Sequence, residues 1–316
     1  MSALRPIKLA PAFKDYLWGG ERLRTEYGKD TALTPLAESW ELSAHKDGES
    51  RIVGGAYDGY SLSAYVAAAG RSVLGTRAEG LDYFPILIKL IDAKGDLSVQ
   101  VHPSDAYALE HEGEYGKTEM WYVLDCDEGA SLCCGFSRDV TKDELTTAIA
   151  NGTLTDLLRR VPVKKGDVFF IPAGTVHAIG AGIVICEIQQ NSNTTYRVYD
   201  YNRRDKDGNL RPLHVEKALE VATLAKAPEH EDTPDGADVL LASCEYFTVR
   251  RLSVDGECPL VATEESFHTF TVTEGAGSVR SADTTLSLKK GETVFVPAGS
   301  GCYTLEGTLT AILSTL

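Results

Sequence analysis

Residues 97–124 read LSVQVHPSDAYALEHEGEYGKTEMWYVL. Leu97, Val99 and Val101 alternate with Ser98, Gln100 and His102, the period of a β-strand, so Gln100 and His102 share a face. Pro103 withholds a backbone donor and closes that strand. A polar, glycine-bearing loop is expected over 103–118, and a second strand from Glu119 through Met120, Trp121, Tyr122 and Val123. If the two strands are neighbours, an amide oxygen, an imidazole and a carboxylate converge. A fourth donor lies in 163–180, VKKGDVFFIPAGTVHAIG. There Lys165-Gly166 reads as a turn, Val168 to Ile171 as an apolar strand, Pro172-Ala173-Gly174 as a second turn, and His177 opens the next strand. One amide, one carboxylate and two imidazoles suit Zn²⁺ with an open position, and Mn²⁺, Fe²⁺ or Co²⁺ fit as well. A strand histidine before proline is by itself more often structural. The added Glu119 and a second strand-borne histidine turn the reading toward metal.

The chain has 316 residues, 43% of them hydrophobic, enough for a large core and a two-domain expectation. No apolar run is long enough to span a membrane, and residues 1–20 lack a basic start followed by an apolar segment. A soluble, unsecreted, cytoplasmic protein is expected. The seven cysteines are an odd number without a CxxC and read as thiols of a reducing compartment. A net charge of −15 argues against nucleic acid and anionic membrane as partners. It also repels anionic metabolites, so a phosphorylated substrate needs local lysines and arginines.

Short alternating segments over residues 1–60 are expected to be strands and turns, with Trp18 and Trp40 packing the core. Residues 62–69 read as a helix capped by Ser61 and ended by Gly70. The run FPILIKLI, Phe84 to Ile91, carries one lysine, Lys89, which either snorkels to the surface or faces a polar cavity. Residues 139–161 read as helical with a break at Asn151-Gly152, and 215–224 as a further helix. In the strand after His177, Glu187 shares a face with Ile183 and Ile185: a satisfied ion pair or a tuned acid or base. Arg197 follows among aromatic neighbours. Residues 226–238 read as a linker by composition.

Beyond the linker, LKKGETVFVPAGSGCYTL (288–305) echoes VKKGDVFFIPAGTVHAI (163–179) turn for turn, with Cys302 opposite His177. The second copy keeps the strand-turn-strand signal without the ligands. The chain is therefore expected to be mainly β: two jelly-roll β-sandwiches of the cupin type with a few short helices. Residues 1–225 would form the metal-binding catalytic domain, including the helical insert, and 239–316 a metal-free module.

Gln100-x-His102-Pro, Lys117-x-Glu119, Pro172-Ala173-Gly174-x-x-His177 and Arg197, in this order and spacing, resemble the type I mannose-6-phosphate isomerases, in their short bacterial branch. The resemblance covers most of residues 5–225 and, more weakly, the carboxy-terminal module. It implies one Zn²⁺ per chain held by Gln100, His102, Glu119 and His177. It places the family's active-site arginine on Arg197, its lysines on Lys89 and Lys117, and a proton-transferring glutamate on Glu187. Two departures stand out: Ser192-Asn193-Thr194 replaces Ser-Asp-Asn, and Gly116 replaces a histidine of longer members.

The implied reaction interconverts mannose 6-phosphate and fructose 6-phosphate through an enediol, which is general acid–base chemistry beside a carbonyl. Glu187 is the first candidate base and Lys117 the second; Arg197 and a lysine would grip the phosphate or stabilise the enediolate. A metal-dependent cupin dioxygenase, a non-catalytic sugar-binding bicupin and a regulatory paralogue of the isomerase are the alternatives.

Overall fold

The computed structural model describes residues 4–204 and 208–316. Two antiparallel sheets form a sandwich. The six-stranded sheet runs Val168–Ile171, Glu119–Cys126, Ile183–Gln190, Ile86–Ala93, Glu38–Leu42, Ala12–Lys14 in spatial order. The five-stranded sheet runs Leu158–Pro162, Ser131–Phe136, His177–Ala178, Val99–Val101, Tyr196–Tyr199. The architecture is the mainly β, cupin-type one that the alternation predicts.

The near-continuous apolar strands have a direct cause: the six-stranded sheet is covered on both faces. Its inner face contributes Ile91, Trp121, Val123, Phe169, Ile183 and Ile185 to a core closed from the other sheet by Leu132, Val161 and Ile179. Its outer face contributes Ile88, Leu90, Met120, Val184, Cys186 and Ile188 to a second core, completed by Phe247, Phe267, Phe295 and Ile312 of the carboxy-terminal part. Each fully buried side chain of this size contributes about 1.5–3 kcal/mol, which makes the carboxy-terminal part integral to the sandwich. The outer face of the five-stranded sheet packs Val99, Val101 and Val198 under Leu145 of helix Lys142–Asn151 and Ala218 of helix Val215–Val221.

The carboxy-terminal strands form an eight-stranded sheet that also takes in Ile7–Ala10 and Arg51–Val53, with Ile7 opposite Phe295. The break in composition near 226–238 is thus not a boundary between sheets. This stretch carries no helix or strand before Asp238 and lies as a strap on the sandwich: the His230 ring stacks on Phe169 at 4.3 Å, and Lys164 Nζ pairs with Asp232 at 2.6 Å. Glu41, buried, accepts from Ser39 Oγ at 2.6 Å and from Thr293 Oγ1 at 3.1 Å, and pairs with Lys29 at 2.5 Å. A charged junction between the two parts is therefore fully satisfied.

Two expected local structures differ. The loop after Pro103 contains a helix, Asp105–His111. The helical reading of 139–161 holds for Lys142–Asn151 and, past the break, only for the short 3-10 turn Leu154–Asp156. Helix Lys142–Asn151 starts at a Thr141–Glu144 capping box and stops where Gly152 adopts φ 71°. Residues Leu158–Pro162 are instead a strand pairing with Ser131–Phe136. An open sheet edge decides a short amphipathic segment more strongly than its helical propensity does. Helix Leu62–Ala69, capped by Ser61, is as expected. All seven cysteines are free, and among the described residues no helix is long and apolar enough to cross a membrane.

The internal echo is structural. Gly166 and Gly291 have φ of 94° and 84°, and Gly174 and Gly299 have 89° and 75°, so both turns need left-handed residues in both copies. Where the first copy buries His177, the second exposes Cys302 opposite Val261. Replacing Cys302 with Ser is expected to leave bound metal unchanged and to alter stability by no more than about 0.5 kcal/mol, as at other surface positions. Loss of a second equivalent of metal in that variant would overturn the metal-free reading of this module.

Candidate metal centre and active site

The inner faces of the two sheets bring the sequence-separated groups together. His177 stands opposite Gln100, which stands opposite Arg197, so the three form one inward row across the five-stranded sheet. On the facing sheet, Trp40, Lys89, Glu187 and Trp121 form a second inward row. Glu119 and Lys117 lie at the start of the Glu119 strand. The sheets meet where the His177 ring contacts Trp121, with centroids 5.3 Å apart.

His102, Glu119 and His177 are buried, and their ligand atoms lie within 4.8 Å of one another. Each imidazole is oriented from behind. His102 Nδ1 bonds Thr194 O at 3.0 Å and His177 Nδ1 bonds Thr175 O at 2.9 Å. A carbonyl can only accept, so both Nδ1 atoms carry hydrogen and both Nε2 lone pairs face inward, as metal-binding histidines are held. Burial and the nearby Lys117 push His102 down to about 3, and burial lowers His177. Both are thus neutral, the state a metal requires. Burial alone would raise the Glu119 carboxyl, but Lys117 and the imidazoles hold it well below its ordinary value. Its two buried oxygens accept no well-aligned hydrogen bond, although Lys117 Nζ stands 2.7 Å from Oε2. Lys117 Nζ also lies 3.2 Å from His102 Nε2, so a cation is already drawn to these donors. Gln100 Nε2 lies 3.2 Å from His177 Nε2; half a turn of the amide presents its oxygen there instead. The donor set fits a divalent ion.

A second cluster adjoins the first. Lys89, fully buried, points inward rather than to the surface, with Nζ 3.1 Å from Glu187 Oε1 and 3.9 Å from Glu38 Oε2. Trp121 Nε1 donates to Glu187 Oε2 at 3.0 Å, which leaves Oε1 with the two lysine charges and no well-aligned hydrogen bond. Burial, with the charge of Glu119 added, raises the Glu187 carboxyl against the opposing pull of Lys117 and Lys89. Lys117 lies between the clusters, 3.9 Å from Glu187. Arg197 is half-buried; its Nη1 donates to Pro212 O at 2.9 Å, and its Nε is buried without a partner.

Sequence reasoning missed Glu38, which accepts from Trp40 Nε1 at 2.6 Å, and it assigned Trp40 only to the core. Trp40 is indeed fully buried, but its ring lies beneath Lys89 Nζ, 5.2 Å away. The available signal was the ESWEL alternation, which puts Glu38 and Trp40 on one strand face. Asn193, the departure from Ser-Asp-Asn, donates from Nδ2 to Asp47 Oδ2 at 2.8 Å. An aspartate there would set two carboxylates against each other.

A double cupin with a buried His–Glu–His centre between its sheets is the class that this fold and site define. The type I phosphomannose isomerase catalytic domain matches residues 7–129, and the mannose-6-phosphate isomerase cupin domain matches residues 238–316. The mannose-6-phosphate isomerase ManA of Bacillus subtilis is 43% identical, over 98% of this chain and 99% of that protein. The mannose-6-phosphate isomerase of Streptococcus mutans is 39% identical, over 98% of each. The crystal structure of the Bacillus subtilis mannose 6-phosphate isomerase superposes with a TM-score of 0.90 at 40% identity, covering 98% of this chain and 99% of that one. The apo Salmonella typhimurium enzyme, at 18% identity and a TM-score of 0.77, shares the fold. This chain belongs to the type I mannose-6-phosphate isomerase family.

Proposed function

We propose that this chain interconverts mannose 6-phosphate and fructose 6-phosphate with one Zn²⁺ held by Gln100, His102, Glu119 and His177. What carries the reading is the juxtaposition of two buried clusters: a neutral-imidazole and carboxylate donor set, and beside it a carboxylate raised toward neutrality with one oxygen left without a well-aligned hydrogen bond. Residues 1–225 supply every group of this site, and residues 239–316 are read as a metal-free support. A bound divalent ion would supply Lewis acidity toward the substrate's carbonyl and hydroxyl oxygens.

The side chains divide the rest of the work. Glu187 moves the proton between C1 and C2. Its raised carboxyl is a stronger base than an exposed glutamate, and Trp121 fixes its other oxygen so that Oε1 meets the carbon-bound proton. Lys89 and Lys117 flank Oε1 and stabilise negative charge as it passes from Glu187 to the enediolate oxygens. Lys117, close to Glu119, is a cation between two carboxylates and is a poorer base than Glu187. Arg197 grips the phosphate. Its fork is held by Pro212 O at one end and unpartnered at Nε, which suits a tetrahedral anion.

A coupled assay of mannose 6-phosphate conversion tests the reading; a metal-loaded protein without turnover would overturn it. Replacing Arg197 with Ala should lower kcat/KM about 10²-fold, the scale of a lost charge-assisted hydrogen bond, mainly through KM and with bound metal retained. Wild-type kinetics in that variant would make Arg197 structural. A cupin dioxygenase would need Fe²⁺ and would have no use for the Lys89–Glu187–Lys117 cluster.

A further inference from the structure

We propose that Lys14 is the second cation of the phosphate subsite, acting with Arg197 from the edge strand of the other sheet; this rests on reading Arg197 as the phosphate grip. The first ground is charge. Within the site, Lys89 and Lys117 are committed to Glu187, Glu38 and Glu119. The whole chain carries 46 acidic against 31 basic side chains. A sugar-phosphate dianion entering this field needs cations that no carboxylate already neutralises.

Among the described residues lining the inner walls, Lys14 and Arg197 have no carboxylate within ion-pair distance. Lys14 Nζ donates to the Asp47 carbonyl oxygen and stands 4.5 Å from the centroid of the Trp40 ring. Arg197 donates to a carbonyl too, and the nearby Asp200 is engaged by Arg203 and Arg211. A lysine held by a carbonyl and an aromatic face sheds part of its hydration before an anion arrives.

The second ground is position. Lys14 ends an edge strand, opposite Glu38 and two residues from Ala12, which stands opposite Trp40. Register thus places Lys14 on the same inward face as Glu38, Trp40 and Lys89. Arg197 is on the edge strand of the other sheet, in the inward row with Gln100 and His177. The sheets are in contact through His177 and Trp121. Tyr196–Tyr199 lies two strands from His177–Ala178 and Ala12–Lys14 four strands from Glu119–Cys126, so each is an edge strand of its sheet. Asp47 joins the two walls: its carbonyl accepts from Lys14, and its carboxylate accepts from Asn193 at 2.8 Å, four residues before Arg197. A point charge on one wall and a planar fork on the other can hold a phosphate from two sides.

The test uses the metal-loaded full chain with two probes, mannose 6-phosphate as substrate and inorganic phosphate as competitive inhibitor. Replacing Lys14 with Gln, which keeps length and polarity, should raise both KM and the inhibition constant of phosphate about tenfold, a lower-end charge-assisted contact. Lys14→Arg should restore most of that loss. Combined with Arg197→Ala, the loss should be less than the product of the single losses, because both act on one anion. Unchanged phosphate inhibition in Lys14→Gln, or a fall in kcat alone, would overturn the assignment and make Lys14 a support for Trp40. If phosphate failed to inhibit the wild type, or Arg197→Ala left inhibition unchanged, the reading of Arg197 itself would fall.

Discussion

Glu119→Gln should strip the protein of its metal and lower kcat/KM by at least about 10³-fold, because a Lewis acid contributes several kcal/mol to such a transition state. The reason lies in charge as well as ligation. Glu119 is the only carboxylate among the three clustered donors, and it also stands 2.7 Å from Lys117. With an amide in its place, the neutral imidazoles would face the Lys117 cation and an incoming dication with no anion between them. Purified wild-type protein should contain about one divalent ion per chain, and chelation should lower its Tm, since an ion bound only to the folded state stabilises it by mass action. The Glu119→Gln protein should melt at a temperature that chelator no longer changes. Full metal content in that variant, or full activity in a metal-free preparation, would sink the assignment of the centre. His102 and His177 should behave alike, whereas a change at Gln100, a neutral donor, should weaken metal affinity without abolishing binding.

The second large effect belongs to Glu187. Glu187→Gln is isosteric and keeps an acceptor for Trp121 Nε1, so the fold and the metal should survive. The variant lacks a base, and kcat should fall about 10²–10⁴-fold with little change in KM. A pH profile gives an independent check. The base works ionised, so kcat/KM should fall as pH drops through the carboxyl's pKa in the free enzyme. That pKa is raised by burial and by Glu119 and held down by Lys117 and Lys89. Lys89→Met removes one of the restraining cations, so the acid limb should move to higher pH. A limb that stays in place, or moves down, would mean that another group transfers the proton.

The elements legible in the sequence are those whose structure is set by neighbours a few residues away. Alternation placed Gln100 and His102 on one face, and the glycine turns before Val168 and His177 recur at 291 and 299 because left-handed φ is required there. Helix Leu62–Ala69 was readable from its cap, and helix Lys142–Asn151 from its stop at Gly152. Spacing alone brought His102, Glu119 and His177 together as candidates, because each sits at a strand end or beside a turn that leaves a local mark.

What the sequence left open depends on partners distant along the chain. Leu158–Pro162 is a strand because the Ser131–Phe136 strand offers it an edge. Ile7–Ala10 joins the carboxy-terminal sheet through Thr293–Val296, nearly three hundred residues away. Lys89 could have snorkelled or faced a cavity, and Glu187 could have been an inert ion pair or a tuned base. Their surroundings were set when Glu38 and Trp40, from one strand, and Lys117, just before another, closed around them. By itself the sequence determined which residues alternate, turn and cap, and hence the class of fold and the grouping of His102, Glu119 and His177. Burial, which sets charge states, and register across sheets, which sets who faces whom, exist only in the tertiary structure, and the roles proposed for Lys14, Lys89, Glu187 and Arg197 rest on them.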